Sequence, residues 1–548
     1  MLRNKTLFVL LAAVMIVSLV LAGCGPKGEK LAKQINLNLG TEPPTLDPGV
    51  AQDTTSTGVD ELLFLGLTDY DDQTIEVVPE LAEKWECSSD GLTWTFHMRK
   101  DVNWVHYDPA TKKFEKKRPL TAQDVVYGVL RALDPATASP YAYVLYYVKN
   151  AEEYNTGKVT DPNEVGIKAP DDYTIVYTLK SPAGFFPGIA GLWTARAVPK
   201  EVIEQYGDKW TEPGNIWTNG AYALDTWEHN NKMVLVKNPY YYDAKNVSIE
   251  QINYVMVQEQ STAFAMYENG ELDEDHDPPL SDLDRIKTDP ELSKQYVQAP
   301  ELCTYYYGFN TTKPPFDNKL VRQAFSYALD RQKLIDTVLK GGQKPAKTFA
   351  CPGIFGSPAE DPSFQGISFD PAKAKELLAQ AGYPDGKGLP EITLMFNTSE
   401  SHQAIAQFAQ RSWKENLGVD VKLTNQEWAV YLQTVANDAP QIFRMGWCTD
   451  YPDENNWVLE NFHSTKSKNQ IRWNNPEFDK AVDDAAAESD PAKRKELYKK
   501  AEQILCVDEA AIIPVYYYTR NTVTKPYVVR TYSPLGIEHI NKWKVLAH

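Results

Sequence analysis

NKLVRQAFSYALDRQKLIDTVLKGG, residues 318–342, reads as helix from end to end and stops at paired glycines. It decides the fold, because it opens a run in which helix and strand alternate from about residue 303 onward. DPAKAKELLAQAGY (370–383) carries Asp as cap, Pro in the first turn and Gly at the stop. EITLMFN (391–397) is a strand, ESHQAIAQFAQRSWKENLG (400–418) a helix, and VDVKLTNQ (419–426) and QIFRMGW (441–447) are strands again. Two helices cover roughly 476–506, and AIIPVYYYTRNTVTK (511–525) is strand-like. Working back from 303, the texture is β-rich. INLNLG (35–40) alternates, TEPPTLDPG (41–49) is rich in turn residues, and LTWTFHMRKDVNW (92–104) and YTIVYTLK (173–180) alternate like hairpin strands. A helix at 121–133, capped by Thr121 with Asp124 three positions on, interrupts them. A β-rich half, an α/β half and a β-like return predict two lobes, the first of them discontinuous.

The 548 residues are too many for one core, so two or three domains are expected. At 43% hydrophobic and 24% charged the composition is globular. A net charge of −18 repels phosphate backbones and argues against nucleic acid as a partner. The 13 Trp and 31 Tyr supply rings with polar tips, which suit wet pockets as well as cores.

At the N-terminus Arg3 and Lys5 precede an uncharged run from Leu7 to Leu21, and LAGC comes next at 21–24. This has the form of a signal peptide. Its ending matches the bacterial lipoprotein pattern, in which Cys24 is lipidated and becomes the first mature residue. A spanning anchor would need ~20 apolar residues, and this run has only about 15. An exported chain tethered outside the membrane by lipid is therefore expected. Five further cysteines, Cys87, Cys303, Cys351, Cys448 and Cys506, show no zinc spacing; export permits disulfides among them, and the sequence does not choose the pairs.

FRMGWCTDY (443–451) sets an arginine and an aspartate six positions apart behind an apolar run. On strand parity Arg444, Gly446, Cys448 and Asp450 share a face. At ~3.3 Å per residue the two charges stand at most ~20 Å apart, a separation that fits a guest better than a mutual salt bridge. The reach of the arginine shortens that gap to about three extended residues of a guest. A zwitterionic peptide needs an anion for its ammonium and a cation for its carboxylate, because an unpaired buried charge costs several kcal/mol. Its backbone is best met as an added strand, which pairs main chain without reading side chains. A strand end carrying two solvated charges is the other reading of these residues.

Several stretches resemble the oligopeptide-binding proteins among the family 5 solute-binding proteins of ABC importers. They are ELCTYYYGFNTTKPPFDNKLVRQAFSYALDRQKLI (301–335), LAEKWECSSDGLTWTFHMRKDVNW (81–104), and FRMGWCTDY followed by IIPVYYY. TASPYA, NTSESH, NQEW and GWCTDY are the motifs closest to the true peptide binders. The resemblance implies an α/β fold: a periplasmic-binding-protein-like, two-lobed clamshell with an extra domain inserted in the first lobe (type II, cluster C). It divides the chain into a lipoprotein signal peptide (1–23), a tether (24–34), a first lobe (35–64, 201–302 and 515–548), its extra domain (65–200) and a second lobe (303–514).

The resemblance also implies roles. Asp450 meets the peptide ammonium. Arg444 meets the carboxylate of a tripeptide, and His402 reaches the carboxylates of longer ones. The main chain of Gln52, Asp53, Thr54, Gly446 and Cys448 pairs with the ligand, Trp428, Trp447, Tyr141 and Tyr306 line side-chain pockets, and Cys303 and Cys448 form a disulfide. The pattern is departed from twice: Val435 stands where the family has a second arginine for the carboxylate, and Gln52 where it often has a glutamate. The expected protein is a monomeric, lipid-anchored, extracytoplasmic receptor for peptides of about two to five residues, delivering them to ABC permease subunits, with no enzyme activity, cofactor or metal. A murein peptide or an oligosaccharide is the alternative ligand, but a sugar would not need the charges at Asp450 and Arg444. A secreted hydrolase has no motif behind it, since no HExxH, GxSxG or phosphate-binding loop occurs. Asp273, Asp275 and Asp277 mimic the start of a calcium loop, but Pro278 replaces its glycine, and a solvated turn is expected there.

Overall fold

A computed structural model describes residues 31–548. The expected signal peptide and the expected lipidation site at Cys24 lie outside these residues. Among the described residues no helix is long and apolar enough to cross a membrane.

The second lobe is built on a mixed sheet. Its strands run in the order Glu274–Asp275, Ile512–Thr524, Tyr296–Phe309, Ile442–Cys448, Ile392–Asn397 and Val421–Gln426. Ile392–Asn397 pairs in parallel with Val421–Gln426, the connection passing through the helix Glu400–Leu417. That helix starts where Ser399 accepts a hydrogen bond from the His402 backbone and ends at Gly418, whose φ of 74° only glycine adopts cheaply. The side chains of Tyr305, Tyr307 and Phe309 point into the lobe core with Val321, Phe325, Leu394 and Trp413. Tyr306, on the opposite face by the period of two, packs edge-on against Phe349 and Phe462. Gly308 is required between them, since a Cβ there would lie 2.5 Å from the Phe443 ring.

The first lobe carries a four-stranded sheet of Gln34–Asn38, Gln251–Val255, Lys232–Lys237 and Tyr222–Glu228. A separate antiparallel sheet, Ala82–Cys87, Thr93–Met98, Thr174–Thr178 and Ile167–Asp171, packs with the helix Ala122–Leu133. In that helix Asp124 reaches back to the Thr121 backbone at 2.9 Å, the reciprocal half of a capping box. Trp217–Thr218 pairs with His106 and Val105, which ties the segment after residue 200 back to this region. On the basis of these sheets we propose the division into a first lobe, its extra domain (65–200) and a second lobe (303–514).

Two long strands cross between the lobes. Tyr296–Phe309 pairs antiparallel with Ile512–Thr524, from Tyr296 opposite Val523 to Gly308 opposite Ile512, with an irregularity between Pro300 and Thr304. The acid-rich stretch 268–279 is not the solvated turn its composition suggested. Glu274 and Asp275 form a buried strand on Thr524 and Val523. Arg530 neutralises Glu274 at 2.6 Å, and Asp273 accepts from the Asn36 backbone (2.6 Å) and the Tyr527 hydroxyl (2.7 Å). Burial follows from pairing, which composition does not reveal.

Two further expectations change. Residues 318–342 are not one helix but Lys319–Tyr327, Arg331–Leu334 and a wider turn, Ile335–Leu339. The break falls at Asp330, whose side chain caps the second piece through Lys333 N, and buried Arg331 satisfies the Pro514 and Ser326 carbonyls there. Residues 92–104 split into Thr93–Met98 and Asn103–Asp108, which belong to different sheets.

Candidate functional site

Between the lobes lies a cleft of about 580 Å³ lined by both. The second lobe contributes the strand Ile442–Cys448. One edge of it pairs along its whole length with Tyr296–Phe309, from Ile442 opposite Phe309 to Cys448 opposite Cys303. The other edge pairs with Ile392–Asn397 only at Ile442 and Phe443. Beyond that point the Tyr431 hydroxyl donates to the Arg444 carbonyl, and on this second edge Gly446–Cys448 has no strand beside it among the described residues. This free edge faces the cleft. Gly446 keeps it smooth, since a Cβ would come within 3.0 Å of the Tyr518 hydroxyl and 3.4 Å of the Arg444 guanidinium.

Arg444 is buried, and its guanidinium donates to Asn397 Oδ1 (3.1 Å) and to the Tyr518 hydroxyl (2.5 Å), both neutral. It lies 4.7 Å from the Tyr305 ring centroid. Arg444 Nε has no protein partner, and neither has His402 Nδ1 nearby. Burial and the Arg444 charge push His402 well below the ordinary imidazole range, so it is neutral. Val435 is fully buried in the helix Trp428–Asp438 and lines no part of the cleft.

Asp450 does not continue the strand, which ends at Cys448. The face arithmetic therefore stops short of it. Its position comes from Asn456, whose side chain accepts from the Asp450 backbone and donates to its carboxylate, both at 2.9 Å. The Tyr141 hydroxyl donates to the same carboxylate at 2.8 Å. Burial nevertheless pushes Asp450 up to about 6, against these hydrogen bonds. Asn456 also donates to Glu460, which burial pushes up to about 8 and which accepts from the Tyr451 hydroxyl.

On the first lobe Gln52 lines the cleft and Asp53 is extended, with φ −136° and ψ 155°. Thr54 is not part of an extended segment: it opens the helix Thr54–Leu63, because Asp53 caps it through Thr55 N and Ser56 N. Trp428 donates to Asp53 at 3.3 Å and so links the lobes across the cleft. Tyr141 and Trp447 stack with centroids 6.5 Å apart. Tyr306 reaches the cleft but is a core ring, 2% exposed. Cys303 and Cys448 are joined as a disulfide, while Cys351 and Cys506 remain buried thiols and Cys87 an exposed one.

The structure thus brings Asp450, Arg444, His402, Gly446, Cys448, Gln52, Trp428, Trp447 and Tyr141 to one cleft. Sequence reasoning missed Asn456, Tyr518 and Lys468. The first is an asparagine inside a helix and the last a lysine in a polar loop, and neither type announces a site.

Residues 76–469 match the family model "Bacterial extracellular solute-binding proteins, family 5 Middle". The chain belongs to this family. It is similar to the periplasmic oligopeptide-binding protein OppA of Escherichia coli, 37% identical over 94% of this chain and 93% of that one. The crystal structure of Haemophilus influenzae OppA in complex with RPPGFSPFR gives a TM-score of 0.86 at 32% identity, covering 94% of this chain and all of the other. The E. coli murein tripeptide binding protein MppA gives 0.86 at 34% identity, with 94% and 100% coverage. Against the unliganded open form of MppA the TM-score falls to 0.64 at 33% identity, with 95% and 99% coverage. Near-equal identity with a lower score means that the lobes here differ from that open arrangement. Proteins of this family bind solutes outside the cytoplasm for transport and are not enzymes.

Proposed function

We propose that this chain captures zwitterionic peptides of about two to five residues, extended between its lobes, and hands them to the permease of an ABC importer. One observation carries the reading: a free strand edge, Gly446–Cys448, is flanked by a cation and an anion that do not pair with each other. The ligand backbone adds to that edge, with Gln52 and Asp53 opposite. Its ammonium enters the Asp450, Tyr141 and Asn456 group. Its carboxylate takes the orphan Nε of Arg444, with His402 Nδ1 in reach of longer ligands. Trp428, Trp447 and Tyr141 border roomy side-chain pockets in which water adapts to different residues. One relative is named for a murein tripeptide and another is solved with RPPGFSPFR, so ligand length differs between members.

The lipoprotein pattern at Cys24 supports tethering to the outer face of a membrane, with the receptor acting as a monomer. Mass spectrometry of what co-purifies with the chain tests the ligand class, and tri- to pentapeptides are expected. Asp450→Ala should lose most of the affinity for a tripeptide; unchanged binding in that variant would remove Asp450 from its role.

A further inference from the structure

Lys468 is a cleft cation that the two peptide termini leave unused. It lies beyond the helix Asn455–Phe462, and its ammonium sits among three rings. Nζ lies 4.1 Å from the Tyr141 centroid, 5.3 Å from Trp447 and 5.8 Å from Tyr143. Such a cage attracts a cation through the ring quadrupoles but supplies no hydrogen-bond acceptor for its three N–H groups. The carboxylates that face it are Asp450, Asp53 and Glu460. Asp450 is held by Tyr141 and Asn456 and Glu460 by Tyr451 and Asn456, while Asp53 gives Oδ1 to Thr55 N, Ser56 N and Trp428 and keeps a buried Oδ2 that no group reaches within hydrogen-bond distance. Among the described residues none forms an ion pair with Lys468 within 4.0 Å. Burial pushes the Lys468 ammonium down to about 8, as befits a cation short of a counter-charge.

A ligand ammonium arriving at Asp450 takes over the carboxylate whose charge acts most strongly on Lys468. Two like charges then share one end of the cleft, which is costly unless a further anion enters with the ligand. The side chain of the residue bearing that ammonium branches from the carbon bonded to it, and so starts beside the ring cage around Lys468. We propose that Lys468 reads the first side chain of the peptide, favouring Asp or Glu there and disfavouring Lys or Arg. This rests on the proposed capture of peptides and adds to it a substrate class, acidic at the first position.

Calorimetric titrations with Glu-Ala-Ala, Gln-Ala-Ala, Lys-Ala-Ala and Ala-Glu-Ala test it. The native chain should bind Glu-Ala-Ala about tenfold or more tighter than the isosteric Gln-Ala-Ala, with Lys-Ala-Ala weakest. The preference should be confined to the first residue and so be missing from Ala-Glu-Ala. In Lys468→Met the Glu-to-Gln ratio should collapse to near one, and in Lys468→Arg it should survive. The ratio is read within each variant, so a general loss of affinity or stability cancels. Equal binding of Glu-Ala-Ala and Gln-Ala-Ala by the native chain, or an unchanged ratio in Lys468→Met, overturns the role of Lys468 and leaves peptide binding standing. If the native chain binds none of these and nothing from a mixed pool of tri- to pentapeptides, the peptide reading itself falls, and this proposal with it.

Discussion

At the scale of single residues, the cleft is organised by groups that are buried without a charged partner. Asp450 illustrates the consequence for pH. Only its ionised form attracts an ammonium, and burial has raised its free-state value to about 6. A bound ammonium lowers that value, so protons compete with the ligand. Affinity for a tripeptide should be full above about pH 6 and fall about tenfold per unit below it. Above about pH 8 the peptide ammonium itself deprotonates and affinity falls again. Titration calorimetry across the range from about pH 4 to about pH 9 checks this, and the acid limb should vanish in Asp450→Asn. The charges of this site were legible in FRMGWCTDY, because opposite charges spaced for a short guest are a pattern in one dimension. The groups that hold them were not. Asn456 fixes Asp450 through a turn, and Tyr518 flanks Arg444 from a strand 74 residues away. Contacts between distant segments leave no local mark.

At the scale of elements, the crossing strands Tyr296–Phe309 and Ile512–Thr524 join cleft and lobes. Arg520 pairs there with Glu301 at 3.2 Å and with Glu538, and Arg530 pairs with Glu538 and Glu274, both at 2.6 Å. Burial works against the Glu538 charge, yet the two arginines hold it down to about 2. Arg530→Met would leave buried Glu274 without its ion pair and Glu538 with Arg520 alone, a loss of about 3–5 kcal/mol. The expected result is a clear drop in the urea midpoint, with partial recovery at acid pH as the carboxylates take up protons. The Cys303–Cys448 bridge closes a span of 145 residues and fixes the cleft strand to the crossing strand. Its reduction should cost about 2–4 kcal/mol, read as a lower unfolding midpoint under reducing conditions. Element types were legible wherever one period ran between clear caps, as in 400–418 and 442–448. They failed where tertiary contacts overrode the local pattern. Buried Arg331 and the cap at Asp330 broke the predicted long helix, and pairing buried the acids at 273–275.

At the scale of the whole molecule, two lobes joined by crossing strands close a cleft that a ligand can bridge. In the proposed division Asp450 and Arg444 belong to the second lobe, whereas Tyr141 and Asp53 belong to the first. The Tyr141–Asp450 and Trp428–Asp53 hydrogen bonds span the cleft, and a ligand adds bridges between the same surfaces. A ligand can shift the equilibrium toward closure only by touching both lobes, and the site geometry meets that condition. Small-angle scattering should show the radius of gyration fall when a bound peptide is added, with no fall in Asp450→Ala at the same concentration. The two-lobed plan was readable from the change of texture near residue 303. The closed arrangement was not, since one sequence serves open and closed states alike.

The central claim is that the cleft reads a peptide by its charged ends. Its most direct test is to titrate Ala-Ala-Ala against its N-acetylated form with the native chain. Acetylation, which removes the charge and leaves buried Asp450 with hydrogen bonds but no cation from the ligand, should weaken binding by about a hundredfold or more. Equal affinity for the two forms would contradict it.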